Sequence, residues 1–138
     1  MTFLLDTNTV SEWVKPRPNS GVVAWMDSVD EDRTFISVVS LAELHYGVER
    51  LADGKRRARL EKWLCDELPA RFENRILAVD VAIAECWGKT VSQSQSIGRP
   101  MGPIDGFLAA TAQVHGLILV TRNTSDFPMV KVLNPWSF

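Results

Sequence analysis

Thr2-Phe3-Leu4-Leu5-Asp6-Thr7-Asn8-Thr9-Val10-Ser11-Glu12-Trp13 is a short apolar run, then an acid, then a segment of helical character. The apolar run reads as a buried strand over residues 2–6 and the remainder as a helix from Thr7 to Trp13. Asp6 stands at the junction. Related junctions recur along the chain. Glu43 follows Phe35-Ile36-Ser37-Val38-Val39, and Asn123 and Asp126 follow Leu117-Ile118-Leu119-Val120-Thr121. Asp105 opens an apolar helix after Gly102-Pro103.

Further strands are expected at Thr34–Val39, Ile76–Val79, Leu117–Thr121 and Val130–Leu133. Helices are expected at Gly21–Val29, Ser40–Leu51, Lys55–Leu68, from an Asp80 cap to about Gln95, and Asp105–His115, which Gly116 ends as a C′ glycine. On the helix after Asp80, Ala84, Trp87 and Val91 are expected to face inward. Strands alternating with helices imply βαβ crossovers, hence an α/β fold with a mostly parallel sheet and helices on both faces. The 138 residues are 46% hydrophobic and 23% charged, without repeat or linker, which describes one domain spanning 1–138.

The net charge of −2 excludes a global basic footprint, so any nucleic-acid contact has to be local. The amino terminus has neither the basic region nor the apolar length of a signal peptide, and no segment reaches a membrane span. A cytoplasmic location is expected. Cys65 and Cys86 read as buried, reduced thiols.

In a parallel α/β sheet, the carboxyl ends of neighbouring strands share one rim where ligands bind. Acids remote in sequence can therefore meet there. Two carboxylates about 5 Å apart repel by about 3 kcal/mol at an effective dielectric near 20, so such a cluster calls for protons or a cation. A hard divalent ion, which prefers oxygen ligands, suits it.

Each acid also has a plainer reading. Asp6 is a good N-cap, Ser40-Leu41-Ala42-Glu43 fits a capping box, Asp105 suits a first helical turn, and Asp126 suits an Asx turn. Asp80, also after a strand, shows that acid-after-strand is partly ordinary capping.

Four segments, in order, resemble the motifs of PIN-domain ribonucleases. They are Leu4-Leu5-Asp6-Thr7-Asn8, Ile36 to Gly47, Asp105 to Ala112, and Val120-Thr121-Arg122-Asn123-Thr124-Ser125-Asp126-Phe127. More narrowly, the chain resembles the toxin halves of VapBC pairs, and Asn134-Pro135-Trp136 is similar to their FitB branch.

The resemblance implies a Mg2+- or Mn2+-dependent endoribonuclease with metal-binding acids at Asp6, Glu43 and Asp105. A fourth acid of the family falls where this chain has Asn123; Asp126, three residues on, is the alternative, and both stay open. Asn8 and Thr121 would orient a carboxylate or a water. One workable arrangement has Asp6 and Asp105 binding directly and Glu43 acting through water.

Lys15, Arg17, Arg50, Arg99 and Arg122 adjoin the motifs and are candidate RNA phosphate contacts. The role of Arg56, Arg57 and Arg59 is undetermined. His45 and His115 read as structural. The resemblance further implies a homodimer, an antitoxin whose segment occupies the cleft, and a possible higher assembly with it. Trp13, Trp25, Trp63 and Trp136 would suit such interfaces, although core burial is the plainer reading for each.

Two rival readings stand beside this one. Asp6-Thr7-Asn8-Thr9-Val10 is similar to the nucleophile motif of haloacid-dehalogenase-type phosphatases, but Asn8 replaces its second aspartate. The other rival is a catalytically inactive acidic α/β protein-binding module.

Overall fold

The computed structural model describes residues 1–138. The chain runs β1 (Phe3–Leu5), α1 (Thr7–Glu12), α2 (Ser20–Ser28), β2 (Thr34–Ser37), α3 (Val38–Glu49), α4 (Lys55–Lys62), α5 (Leu68–Arg71), β3 (Ile76–Leu77), α6 (Val81–Ser96), α7 (Pro103–His115), β4 (Ile118–Val120) and β5 (Val132–Leu133). All strand pairs are parallel, in the order β3-β2-β1-β4-β5.

Alternation along β1 builds two cores. Phe3 and Leu5 face Val10, Trp25, Val48, Leu64 and Phe72, whereas Leu4 faces Leu108, Ala109, Ala112 and Phe127. Successive strand side chains point to opposite faces, so each face of the sheet is covered by its own helices. The small residues of α7 let it lie close to the sheet, and Gly106 lets it lie close to α6. A Cβ on Gly106 would stand 2.7 Å from both Trp87 Nε1 and Val91 Cγ2. Trp87 also stacks on Phe107 at 5.3 Å and donates to the Pro103 carbonyl at 3.0 Å, fixing the start of α7.

Several local expectations change. Val38 and Val39 belong to α3 rather than to the strand, because Ser37 caps the helix by accepting from the Val39 N–H at 3.0 Å. The helix expected over Lys55–Leu68 continues to Arg71 through a π turn at Trp63–Glu67. Pro69 explains that turn: it lacks an N–H and crowds the carbonyl four residues back, and Leu68 N–H bonds to Trp63 O instead. On α6, Ala84 is exposed and Ile83, Thr90 and Ser94 are buried. Cys65 is exposed and Cys86 half-buried, so neither is a core thiol. Trp25 is buried in the core, while Trp13, Trp63 and Trp136 are half-buried. No helix is long and apolar enough to cross a membrane.

Candidate active site

From β1 the chain fills one side of the sheet through β2 and β3, then returns to the other side through β4. The reversal falls between β1 and β4, where crevices open at the carboxyl rim. Asp6 ends β1 there, buried at 6% exposure. Its Oδ1 accepts from the Thr7 N–H at 2.7 Å, so it does cap α1. Its Oδ2 accepts from Thr121 Oγ1, at the end of β4, also at 2.7 Å. Capping therefore uses one oxygen, and the second is held by the neighbouring strand.

Glu43 lies in the second turn of α3. Because Ser37 is the cap, the expected capping box at Ser40 does not form. Glu43 Oε1 instead lies 2.6 Å from Thr7 Oγ1, which is 3.0 Å from the buried Ser40 Oγ. Thr7 therefore bridges the first two acidic segments. The sequence reading missed it, although its place beside Asp6 at the first position of α1 was the available signal.

Asp105 sits in the first turn of α7, which runs back along the sheet and so brings this end to the same rim. Asp126 closes a 3₁₀ turn, Thr124–Asp126, after β4. Both line a cleft of about 220 Å³ together with Arg99, Met101, Gly102 and Ser125. Asp105 and Asp126 accept no side-chain hydrogen bonds from the protein. The Asx-turn explanation for Asp126 thus has no contact to support it.

Asp105 and Asp6 both feel the charges of the neighbouring acids. Burial raises the Asp105 carboxyl to about 6, with the charges of Asp6, Asp126 and Glu43 adding to the effect. Asp6 is also raised, first by burial. The Thr121 and Thr7 hydrogen bonds oppose the rise, and the Glu43 and Asp126 charges add to it. By contrast, Asp80 is an exposed helix cap whose side chain accepts from the Ile83 N–H at 2.9 Å.

No three Asp, Glu, His or Cys side chains draw together into a ready-made metal cage. The donor chemistry instead fits an ion that retains water. Mg2+ takes one or two carboxylates directly and reaches others through its hydration shell. Asp105, half-buried, without a protein donor and raised by burial and then by neighbouring negative charge, is the kind of group that a divalent cation would relieve, and the exposed Asp126 lines the same cleft.

The remaining expected positions divide. Asn123 is exposed, and its backbone N–H, rather than its side chain, joins the network by donating to Thr121 Oγ1 at 3.0 Å. Asn8 Oδ1 lies 3.3 Å from Thr9 Oγ1, so the hydroxyls on the carboxylates are those of Thr121 and Thr7. Arg99 donates to the Ser125 carbonyl at 2.7 Å, tying its loop to the Asp126 turn. Arg50 donates to the Tyr46 hydroxyl, Arg122 lies 5.8 Å over the Trp136 ring, and Arg17 is exposed. His45 and His115 are both exposed.

Lys15 Nζ lies 2.8 Å from Glu12 Oε1. Glu12, another residue the sequence reading missed, is only 3% exposed, and its Oε2 accepts from the Asn19 N–H at 2.9 Å. Burial alone would raise its carboxyl. The Lys15 contact, the Asn19 N–H and the Arg122 charge outweigh that and hold it below its ordinary value.

The PIN domain family model matches residues 3–132. The chain belongs to the PIN-domain family. Toxin FitB of Neisseria gonorrhoeae is 38% identical over 136 residues, covering 97% of this chain and 98% of that protein. VapC ribonuclease Y4jK of Sinorhizobium fredii is 33% identical over 136 residues, with 97% of each covered. The crystal structure of FitAcB from Neisseria gonorrhoeae superposes with a TM-score of 0.94 at 37% identity, covering 99% of this chain and 100% of that one. The PIN fold therefore extends over the whole acidic rim.

Proposed function

We propose that this PIN domain is a divalent-metal-dependent endoribonuclease and the toxin half of a toxin–antitoxin pair. Its relatives carry the names toxin and ribonuclease over nearly its full length, which favours this reading over a phosphatase or an inert binding module. The observation that supports the chemistry is the pairing of Asp105 and Asp126 in one cleft, without protein donors, with Asp105 feeling the charges of Asp6, Asp126 and Glu43.

A bound Mg2+ or Mn2+ lowers the pKa of a water and offsets charge developing on phosphate oxygens. Asp6 and Asp105 are assigned as direct ligands and Glu43 as a ligand through water. Asp126 is assigned as the fourth carboxylate in place of Asn123, whose backbone helps hold Thr121. Thr121 and Thr7 fix the rotamers of Asp6 and Glu43, so the donors are set before a cation or substrate arrives. Arg99 stands at the same cleft and is assigned to a phosphate of the RNA. A cognate antitoxin, a homodimer and a cytoplasmic setting complete the proposal.

The test is cleavage of an RNA panel by purified protein with Mg2+ or Mn2+, and with chelator. Cutting should require the ion and disappear in Asp6→Asn and Asp105→Asn while both remain folded. Undiminished cutting by either variant would overturn the assignment.

A further inference from the structure

Helix α4 carries three arginines with different fates. Arg57 is engaged by Glu61 at 2.7 Å, Glu49 at 3.2 Å and Asp53 at 3.6 Å, and it donates to the Leu51 carbonyl. Arg56 and Arg59 are exposed and form neither an ion pair nor a side-chain hydrogen bond. Both line a groove of about 570 Å³, and the same groove reaches Thr7 and Glu43. It thus leads directly from the acidic rim to two unpaired guanidinium groups. Lys15 stands on its edge, and Leu44, Leu60 and Trp63 contribute apolar lining.

We propose that this groove is the seat of the RNA strand beside the cleaved bond, with Arg56 and Arg59 binding its backbone phosphates. The proposal rests on the ribonuclease reading and assigns part of the substrate's path. A phosphodiester at the acids belongs to a strand that must leave the site, and a net-negative protein needs local cations along that exit. Arg56 and Arg59 are three residues apart on one helix, about 4.5 Å along its axis, so both heads serve the same strand. Arginine presents a planar fork of donors suited to phosphate oxygens. The half-buried Trp63 ring and its aliphatic neighbours give base faces an apolar surface. Arg57, held by three acids, is the internal control on the same helix.

The experiment measures binding of a fluorescent single-stranded RNA to the Asp105→Asn protein across a salt series. Arg56→Ala/Arg59→Ala should weaken binding about tenfold and flatten the log–log salt slope by about 1.4, the value for two lost phosphate contacts on a single strand. Arg56→Lys/Arg59→Lys should recover most of the slope. Both arginines are exposed and unpaired, and matching melting curves would verify that the variants fold. Unchanged affinity and slope, in a protein whose wild type binds and cuts RNA, would overturn this proposal alone. A wild type that neither binds nor cuts RNA would overturn the ribonuclease reading and this proposal with it. If RNA affinity is kept while an acidic amphipathic peptide is lost by the alanine variant, the groove is a protein seat and the proposal fails.

Discussion

Thr121 Oγ1 donates to Asp6 Oδ2 at 2.7 Å, joining residues 115 positions apart across the reversal point of the sheet. Both are buried, Thr121 completely. Thr121→Val should leave that carboxylate oxygen without its donor and lower stability by about 1–3 kcal/mol. Mn2+ affinity should fall about 10- to 100-fold, as for other groups that orient metal ligands, while Thr121→Ser keeps most of it. Urea denaturation and Mn2+ titration check the pair. Equal loss in Val and Ser would show that the hydroxyl is not what matters.

The fourth carboxylate is separable by substitution. Asp126→Asn should weaken Mn2+ binding and slow RNA cleavage, whereas Asn123→Ala should change both little, since Asn123 contributes its backbone. The reverse ranking would return the role to the Asn123 side chain.

Asp105 is held at about 6 in the folded chain against an ordinary 3.8, chiefly by burial and then by Asp6, Asp126 and Glu43. Between those values the folded state binds more protons than the unfolded one. The contribution of Asp105 to stability therefore falls as pH rises from about 4 to about 6, and stays low above that. In chelator, wild type should lose stability relative to Asp105→Asn between about pH 4 and about pH 6, and the difference should level off above that. Mg2+ at the higher pH should raise the Tm of wild type more than that of the variant. A stability difference between the two proteins that stays constant with pH would contradict the coupling.

Gly106 offers a test of the scaffold apart from the chemistry. A methyl there meets Trp87 Nε1 and Val91 Cγ2 at 2.7 Å. Gly106→Ala should therefore cost about 1–3 kcal/mol by overpacking. Adding Val91→Ala should recover part of that in thermal melts. Failure of the double variant to recover any would place the strain elsewhere.

The sequence made the layout of the fold legible where local and global signals agreed. Phe3-Leu4-Leu5 is a buried strand because alternate faces both carry helices. Asp80 and Gly116 cap their helices as their residue types suggest. Reading failed where two signals competed. The β-branched Val38-Val39 pair suggested strand, but Ser37 capped a helix beneath it. Moving that helix start released Glu43 from the apparent capping box and turned it toward Thr7. The convergence of Asp105 with Asp126 depends on α7 and the 3₁₀ turn meeting at one rim, which spacing does not encode. Nor could composition distinguish the engaged Arg57 from the free Arg56 and Arg59, since that depends on where Glu49, Asp53 and Glu61 fall in space.

Joint action of the acids on one divalent ion is measured most directly by Mn2+ titration followed by electron paramagnetic resonance. Wild type should bind Mn2+, and Asp6→Asn, Glu43→Gln and Asp105→Asn should each weaken that binding while the proteins stay folded. Mn2+ binding that is absent from wild type, or unchanged in Asp6→Asn and Asp105→Asn, would contradict the account.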